Sequence, residues 1–185
     1  MKGFVFCSLV LLVLALSACG SSSTAAAPPT PTPTPTQPTS HYTVKLSPLN
    51  GSGVSGTVDL QLTGSMLAVT VNVTGLTPNQ IHFQHIHGSH DAVSTCPTRA
   101  DANASGIITI DRTLQIVGPV AFGFSPYTPA DRYGVIRWSS TFALDSGILW
   151  DISPLTQHVV VVHGMMYQGS YDNVLPVACG PIQAT

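Results

Sequence analysis

The apolar residues of this chain recur mainly at every second position. Residues 54–62 read VSGTVDLQL and put Val58, Leu60 and Leu62 on one face. Residues 66–73, MLAVTVNV, repeat the same period. Alternate residues of an extended strand point to opposite faces, so this pattern predicts half-buried strands. Residues 41–46 alternate more loosely, and 80–87, 106–111, 113–117, 134–142, 147–152 and 159–163 supply further strand-like pieces. Turn signals separate them: Asn50-Gly51, Gly64-Ser65, Thr77-Pro78-Asn79, Asp145-Ser146-Gly147 and Ser153-Pro154. No helix is predicted. About eight short strands in roughly 145 residues predict an all-β Greek-key sandwich or barrel.

The pattern changes at the N-terminus. Lys2 precedes an apolar run from Phe4 to Leu16, which is the layout of a secretory signal and is short for a membrane span. Leu16-Ser17-Ala18-Cys19 resembles the bacterial lipoprotein cleavage box, in which the cysteine becomes the lipid-bearing N-terminus. Residues 20–40 are Ser, Ala, Thr and Pro, with Thr and Pro alternating from Thr30 to Thr36. Such a segment is extended at roughly 3 Å per residue, giving a tether of ~40–60 Å. The organisation read from this is a signal peptide (1–18), a tether beginning at the lipidated Cys19 (19–40) and one β domain (41–185). A lipid at Cys19 places the domain outside the cytoplasmic membrane, with the membrane as its partner.

Composition narrows the function classes. The chain has 185 residues, a formal net charge of −2 and a charged fraction of only 8%. It contains no Glu, and Lys45 is the sole lysine beyond Lys2. With no basic stripe, nucleic acid is not a partner. Asn72-Val73-Thr74 and Asn103-Ala104-Ser105 match the N-glycosylation pattern but read as chance in a chain of bacterial appearance. No nucleophile elbow or triad spacing points to hydrolysis.

The chemistry concentrates in residues 75–96, GLTPNQIHFQHIHGSHDAVSTC, where His82, His85, His87 and His90 fall within nine residues. His85 and His87 are two apart and share one face of a strand, with Ile86 turned away. His82 has the opposite parity. Late in the chain, His158 and His163 are five apart and face opposite ways in a regular strand, so one of them at most joins a site. Of the four cysteines, Cys7 and Cys19 lie near the N-terminus, which leaves Cys96 and Cys179 for the globular part.

The order of motifs resembles the copper/zinc superoxide dismutase family across most of residues 42–183. Gly75-Leu76 before His82-x-x-His85-x-His87, Cys96 nine residues on, Val161-Val162-His163 and Ala178-Cys179-Gly180 all occur in the family's order. Chordin-type domains share part of this pattern. The resemblance implies His85, His87 and His163 as copper ligands, His82 as a non-ligand, and a Cys96–Cys179 disulfide. Neutral imidazole suits copper, and copper(II) heads the divalent affinity order. An extracytoplasmic location suits a disulfide.

The departures carry as much meaning. After Cys96 the chain runs PTRADANASGIITI and has no histidine before His158, so the family's bridging histidine and zinc loop have no counterpart, and zinc is not expected. The family's active-site arginine falls at Pro176. His90, three residues after His87, is weighed as a further ligand against a solvated loop histidine. Met165 and Met166 are weighed as soft thioether ligands against simple packing. Asp101–Gly106 opens like a calcium loop, but its twelfth position is Arg112 where Glu is needed. Trp138 and Trp150 are expected in the core. The sequence thus predicts an extracytoplasmic copper-binding lipoprotein with weak or lost dismutase activity, its small ligand being copper or superoxide. The alternative is a metal-free chordin-like structural or adhesion module.

Overall fold

The computed structural model describes residues 37–185. The expected signal peptide, Cys19 and most of the expected tether lie outside the described residues. Eight antiparallel strands form one curled sheet, a half-barrel, in the order β5-β4-β7-β8-β1-β2-β3-β6. They are β1 (Thr39–Pro48), β2 (Ser55–Thr63), β3 (Met66–Thr74), β4 (Gln84–His87), β5 (Val120–Gly123), β6 (Ile136–Ala143), β7 (Val159–Tyr167) and β8 (Ser170–Ala184). Two short helices interrupt them, α1 (Ile110–Val117) and α2 (Ser146–Asp151).

The alternation in the sequence becomes the main core. Val44 and Leu46 of β1, Val58 and Leu60 of β2, and Leu67, Val69, Val71 and Val73 of β3 are buried on the concave side. Burying each such side chain contributes roughly 1.5–3 kcal/mol. Ile86, Val160 and Val162 extend this core onto β4 and β7. The two edge strands approach through aromatic rings rather than a ladder: Phe122 of β5 lies 5.2 Å from Phe142 of β6, and Phe124, just after β5, 6.2 Å from Trp138, centroid to centroid. On the other face of β7, Val159 and Val161 join Leu49, Ile108, Val117 and Cys179 in a second, smaller cluster. The Cys96–Cys179 disulfide, with Cα atoms 5.7 Å apart, ties the loop after β4 to β8 there.

Several elements differ from the sequence expectation. The strands expected at 106–111 and 113–117 are replaced largely by α1, whose Ile110, Thr113, Leu114 and Val117 follow helical spacing. Thr109 caps it by accepting a hydrogen bond from Arg112 N at 3.3 Å, and Gly118 ends it at φ 81°. The strand expected at 147–152 is α2, capped by Asp145, whose Oδ1 accepts from Ile148 N at 2.9 Å. Trp150 therefore sits on a helix surface and is 60% exposed rather than in the core. Trp138 is half-buried and donates to Gln84 Oε1 at 3.2 Å. The expected strand at 80–87 is regular only over β4, while β5 and β8 are additional. Arg112, which broke the calcium pattern, pairs with Asp101 at 2.7 Å. Hydrogen bonding from the Thr98 backbone, then from Arg112, holds the Asp101 carboxyl below its ordinary range.

Candidate metal centre

β4 and β7 are direct neighbours, with His85 opposite Val161 and His87 opposite Val159. Ile86 points into the main core, so its neighbours His85 and His87 face the outer side of the half-barrel. β7 is irregular on either side of His163, where Gly164 takes φ 106°. Added Cβ atoms at Gly164 would strike the Tyr171 hydroxyl and the His82 ring, so glycine is required there by space as well as by backbone. One ring nitrogen from each of His85, His87 and His163 lies within 4.8 Å of the others. Their ring centroids are 5.3–5.7 Å apart.

Each of the three rings has one nitrogen engaged and one bare. His85 Nε2 lies 2.8 Å from the Tyr127 hydroxyl. His87 Nδ1 donates to the carbonyl oxygen of Gly118 at 3.1 Å. His163 Nδ1 donates to that of Val174 at 2.8 Å. Asp172 Oδ1 accepts from Val174 N and Leu175 N at 3.0 and 3.3 Å, within the stretch of β8 where its register against β7 shifts, and so shapes the backbone that presents this carbonyl. The opposite nitrogens, His85 Nδ1, His87 Nε2 and His163 Nε2, are the buried side-chain polar atoms without a hydrogen-bond partner among the described residues. Buried polar atoms are nearly always paired. Three orphans on three converging rings could together hold a metal ion, with carbonyl partners fixing two of the tautomers.

Burial keeps these rings neutral. Desolvation, with a smaller contribution from His87, pushes His85 down to about 4. Desolvation also lowers His87, against hydrogen bonds to Gly118 and Pro119 that raise it. His163 is pushed down to about 3, mainly by desolvation. Neutral imidazole is the ligating form, so the site is ready for a cation at neutral pH.

The remaining sequence candidates lie elsewhere. His82 is fully buried behind the site, with Nδ1 2.9 Å from the His163 carbonyl oxygen and Nε2 3.0 Å from that of Thr77. Tyr171 packs edge-on against it and donates to the Ile81 carbonyl; desolvation, then Asp172, raises its hydroxyl to about 12. His158 is buried below the start of β7, its nitrogens 3.0 and 2.9 Å from the carbonyls of Pro154 and Asp151. His90 stacks on Trp150 at 3.7 Å, with Nδ1 3.1 Å from the Trp150 carbonyl, and does not join the three rings. Met165 packs against the main core, and Met166 is 52% exposed.

Sequence reasoning missed the partners of the rings. Tyr127 lies in a Pro-rich loop 42 residues from His85, and no spacing rule joins them. Gly118 was hidden because α1 was read as strand. Phe83, which stacks on His85 at 6.0 Å and meets Tyr127 edge-on at 5.0 Å, sits inside the histidine motif but carries no metal chemistry of its own.

No protein-family model matches the chain, and no curated protein matches it. Among solved structures, a point mutant of Candida albicans superoxide dismutase 5 resembles it with a TM-score of 0.50 and 14% identity over 80% of this chain and 92% of that one. The fold is superoxide dismutase-like. The Cu(II) form of the same Candida enzyme gives a TM-score of 0.49 with 14% identity, over 80% of this chain and 93% of that one. At such identity the likeness speaks for the fold and not for the chemistry. The disulfide fits an extracytoplasmic protein.

Proposed function

We propose that this chain is an extracytoplasmic copper-binding protein that holds its metal through His85 Nδ1, His87 Nε2 and His163 Nε2. The observation that carries this reading is the convergence of three rings whose bare nitrogens are the buried orphans of the described structure. An all-imidazole set favours copper among the divalent ions. The Leu16-Ser17-Ala18-Cys19 box supports attachment to the membrane by a lipid at Cys19, with the Thr-Pro segment as tether. Copper, when bound, supplies a one-electron couple.

The chain's own residues favour holding over rapid turnover. The position of the resembled arginine is Pro176, which stands opposite His163 in the β7–β8 ladder. Arg112 is paired with Asp101, Arg132 stacks on Tyr133 and Arg137 donates to Asn72. Arg99 lines a separate cleft with Asn50 and Asn103. None of these arginines is hydrogen-bonded or ion-paired to the three rings or to the groups that support them. After Cys96, a short 3-10 turn at Arg99–Asp101 and a tight turn at Asn103 lead into α1. With no counterpart of the resembled family's bridging histidine between Cys96 and His158, and Pro176 at the place of its arginine, this reading is of weak or lost dismutase activity.

Calorimetry of the oxidised chain with copper(II), beside His163→Ala, tests this. One copper per chain, bound tightly and weakened at least 100-fold by the substitution, is expected; roughly 10–100-fold is what loss of a mere supporting partner costs. A folded, oxidised protein that takes up no stoichiometric copper overturns the reading and leaves a chordin-like structural module in its place.

A further inference from the structure

His87 and His163 are oriented by backbone carbonyls, but His85 is oriented by a side chain. We propose that Tyr127 is a positioning residue for His85: its hydroxyl oxygen accepts a hydrogen bond from Nε2–H and so keeps Nδ1 free as the ligand atom. This rests on the three-histidine reading and names the residue that sets the third tautomer.

Three observations support it. The hydroxyl lies 2.8 Å from His85 Nε2, while Nδ1 is buried with no partner. Were the phenol the donor instead, Nδ1 would carry the proton and be a buried N–H without an acceptor, which folded proteins avoid. Secondly, Gly123 is the ladder partner of His85 across β4 and β5. A Cβ added to Gly123 would sit 2.6 Å from the Tyr127 hydroxyl oxygen and 3.4 Å from His85 Cδ2. Gly123 does not take the left-handed backbone that calls for glycine, so the missing side chain is what admits the phenol. Thirdly, Phe83 lies against both rings, stacked on His85 and edge-on to Tyr127, which leaves the pair little freedom to rotate apart.

Supporting partners of this kind fix ring orientation and ligand basicity, and their loss typically costs roughly 10–100-fold in metal affinity. Tyr127 touches no other ring of the site through a hydrogen bond, so its effect is confined to His85.

The test is long-range proton–nitrogen NMR on the metal-free full chain labelled with ¹⁵N-histidine, joined to copper(II) calorimetry. Expected are His85 as the Nε2–H tautomer and His87 and His163 as Nδ1–H. In Tyr127→Phe, His85 loses its single tautomer, His87 and His163 keep theirs, and copper binds roughly 10–100-fold more weakly. Gly123→Ala, which displaces the hydroxyl while leaving the phenol in the sequence, gives the same two changes. His85 found as Nδ1–H in the unsubstituted chain overturns the proposal without recourse to any variant. Copper affinity unchanged in both variants also overturns it, and leaves the three-histidine site standing. Failure of the unsubstituted chain to bind copper overturns the metal reading itself, and the role of Tyr127 with it.

Discussion

The carbonyl oxygen of Gly118, the residue that ends α1, lies 3.1 Å from His87 Nδ1. The end of a helix thus also orients a ring of the candidate centre. Gly118 takes φ 81°, and a Cβ there would come within 3.2 Å of Gly88 Cα. With ψ −174° this is extended backbone at positive φ, open almost only to glycine, so Gly118→Ala is expected to destabilise the fold by about 1–3 kcal/mol. It is also expected to weaken copper binding, because the carbonyl shifts. Urea melts and calorimetry on the variant check both effects, and an unchanged copper affinity would remove Gly118 from the site's support.

Acid acts on the three rings through their neutrality. An unfolded imidazole takes up its proton near pH 6.5, whereas folded His85 does so at about 4 and folded His163 at about 3. Between those values the unfolded chain holds more protons. Stability of the metal-free protein is therefore full above pH 6.5 and falls as pH drops toward 4 and 3. At its steepest, one imidazole contributes about 1.4 kcal/mol per pH unit. Denaturant melts at pH 7.5, 6 and 5 are expected to show decreasing stability, and replacement of His163 is expected to flatten the trend.

The Cys96–Cys179 bridge spans 83 residues. In the chain-entropy model, closing such a loop contributes on the order of 4 kcal/mol. Chemical denaturation of Cys96→Ser/Cys179→Ser is expected to show a loss of that order. A loss below about 1 kcal/mol would mean that the unfolded chain is already compact without the bridge.

If the copper-loaded protein dismutates superoxide, the rate is expected to be slow, dependent on copper and abolished by His87→Ala. It should also lack the fall with added salt that fixed positive charge at a site would impose. Pulse radiolysis at two ionic strengths measures this directly. A fast, strongly salt-suppressed reaction would show that an arginine reaches the rings in solution, contrary to the contacts of Arg112, Arg132 and Arg137.

The fold was most readable where alternation was cleanest. β3 buries Leu67, Val69, Val71 and Val73 in strict sequence alternation, and the strand pattern gave it nearly residue for residue. α1 was misread because Ile110, Thr113 and Val117 are β-prone residues on a helix short enough to lack a sustained period. β8 was missed because Pro176, Gly180 and Pro181 interrupt its text, although it crosses from β7 to β1 as a continuous strand. Within the site, His85 and His87 were visible as a pair because their spacing is two. His163 was selected only through a family resemblance. The partners Tyr127, Gly118 and Val174 come from other segments, and only the folded topology brings them to the rings.

The frame of the centre is small. β4, four residues long, and its β7 neighbour carry all three rings, and the outward side of their ladder faces away from the main core. Two backbone carbonyls and one phenol complete the support. Strands β2, β3 and β6 contribute none of these groups. The unit is thus a portable one: moved onto two adjacent strands of another antiparallel sheet, it would need to bring only Gly118, Val174, Tyr127 and the space at Gly123 to keep its rings aimed.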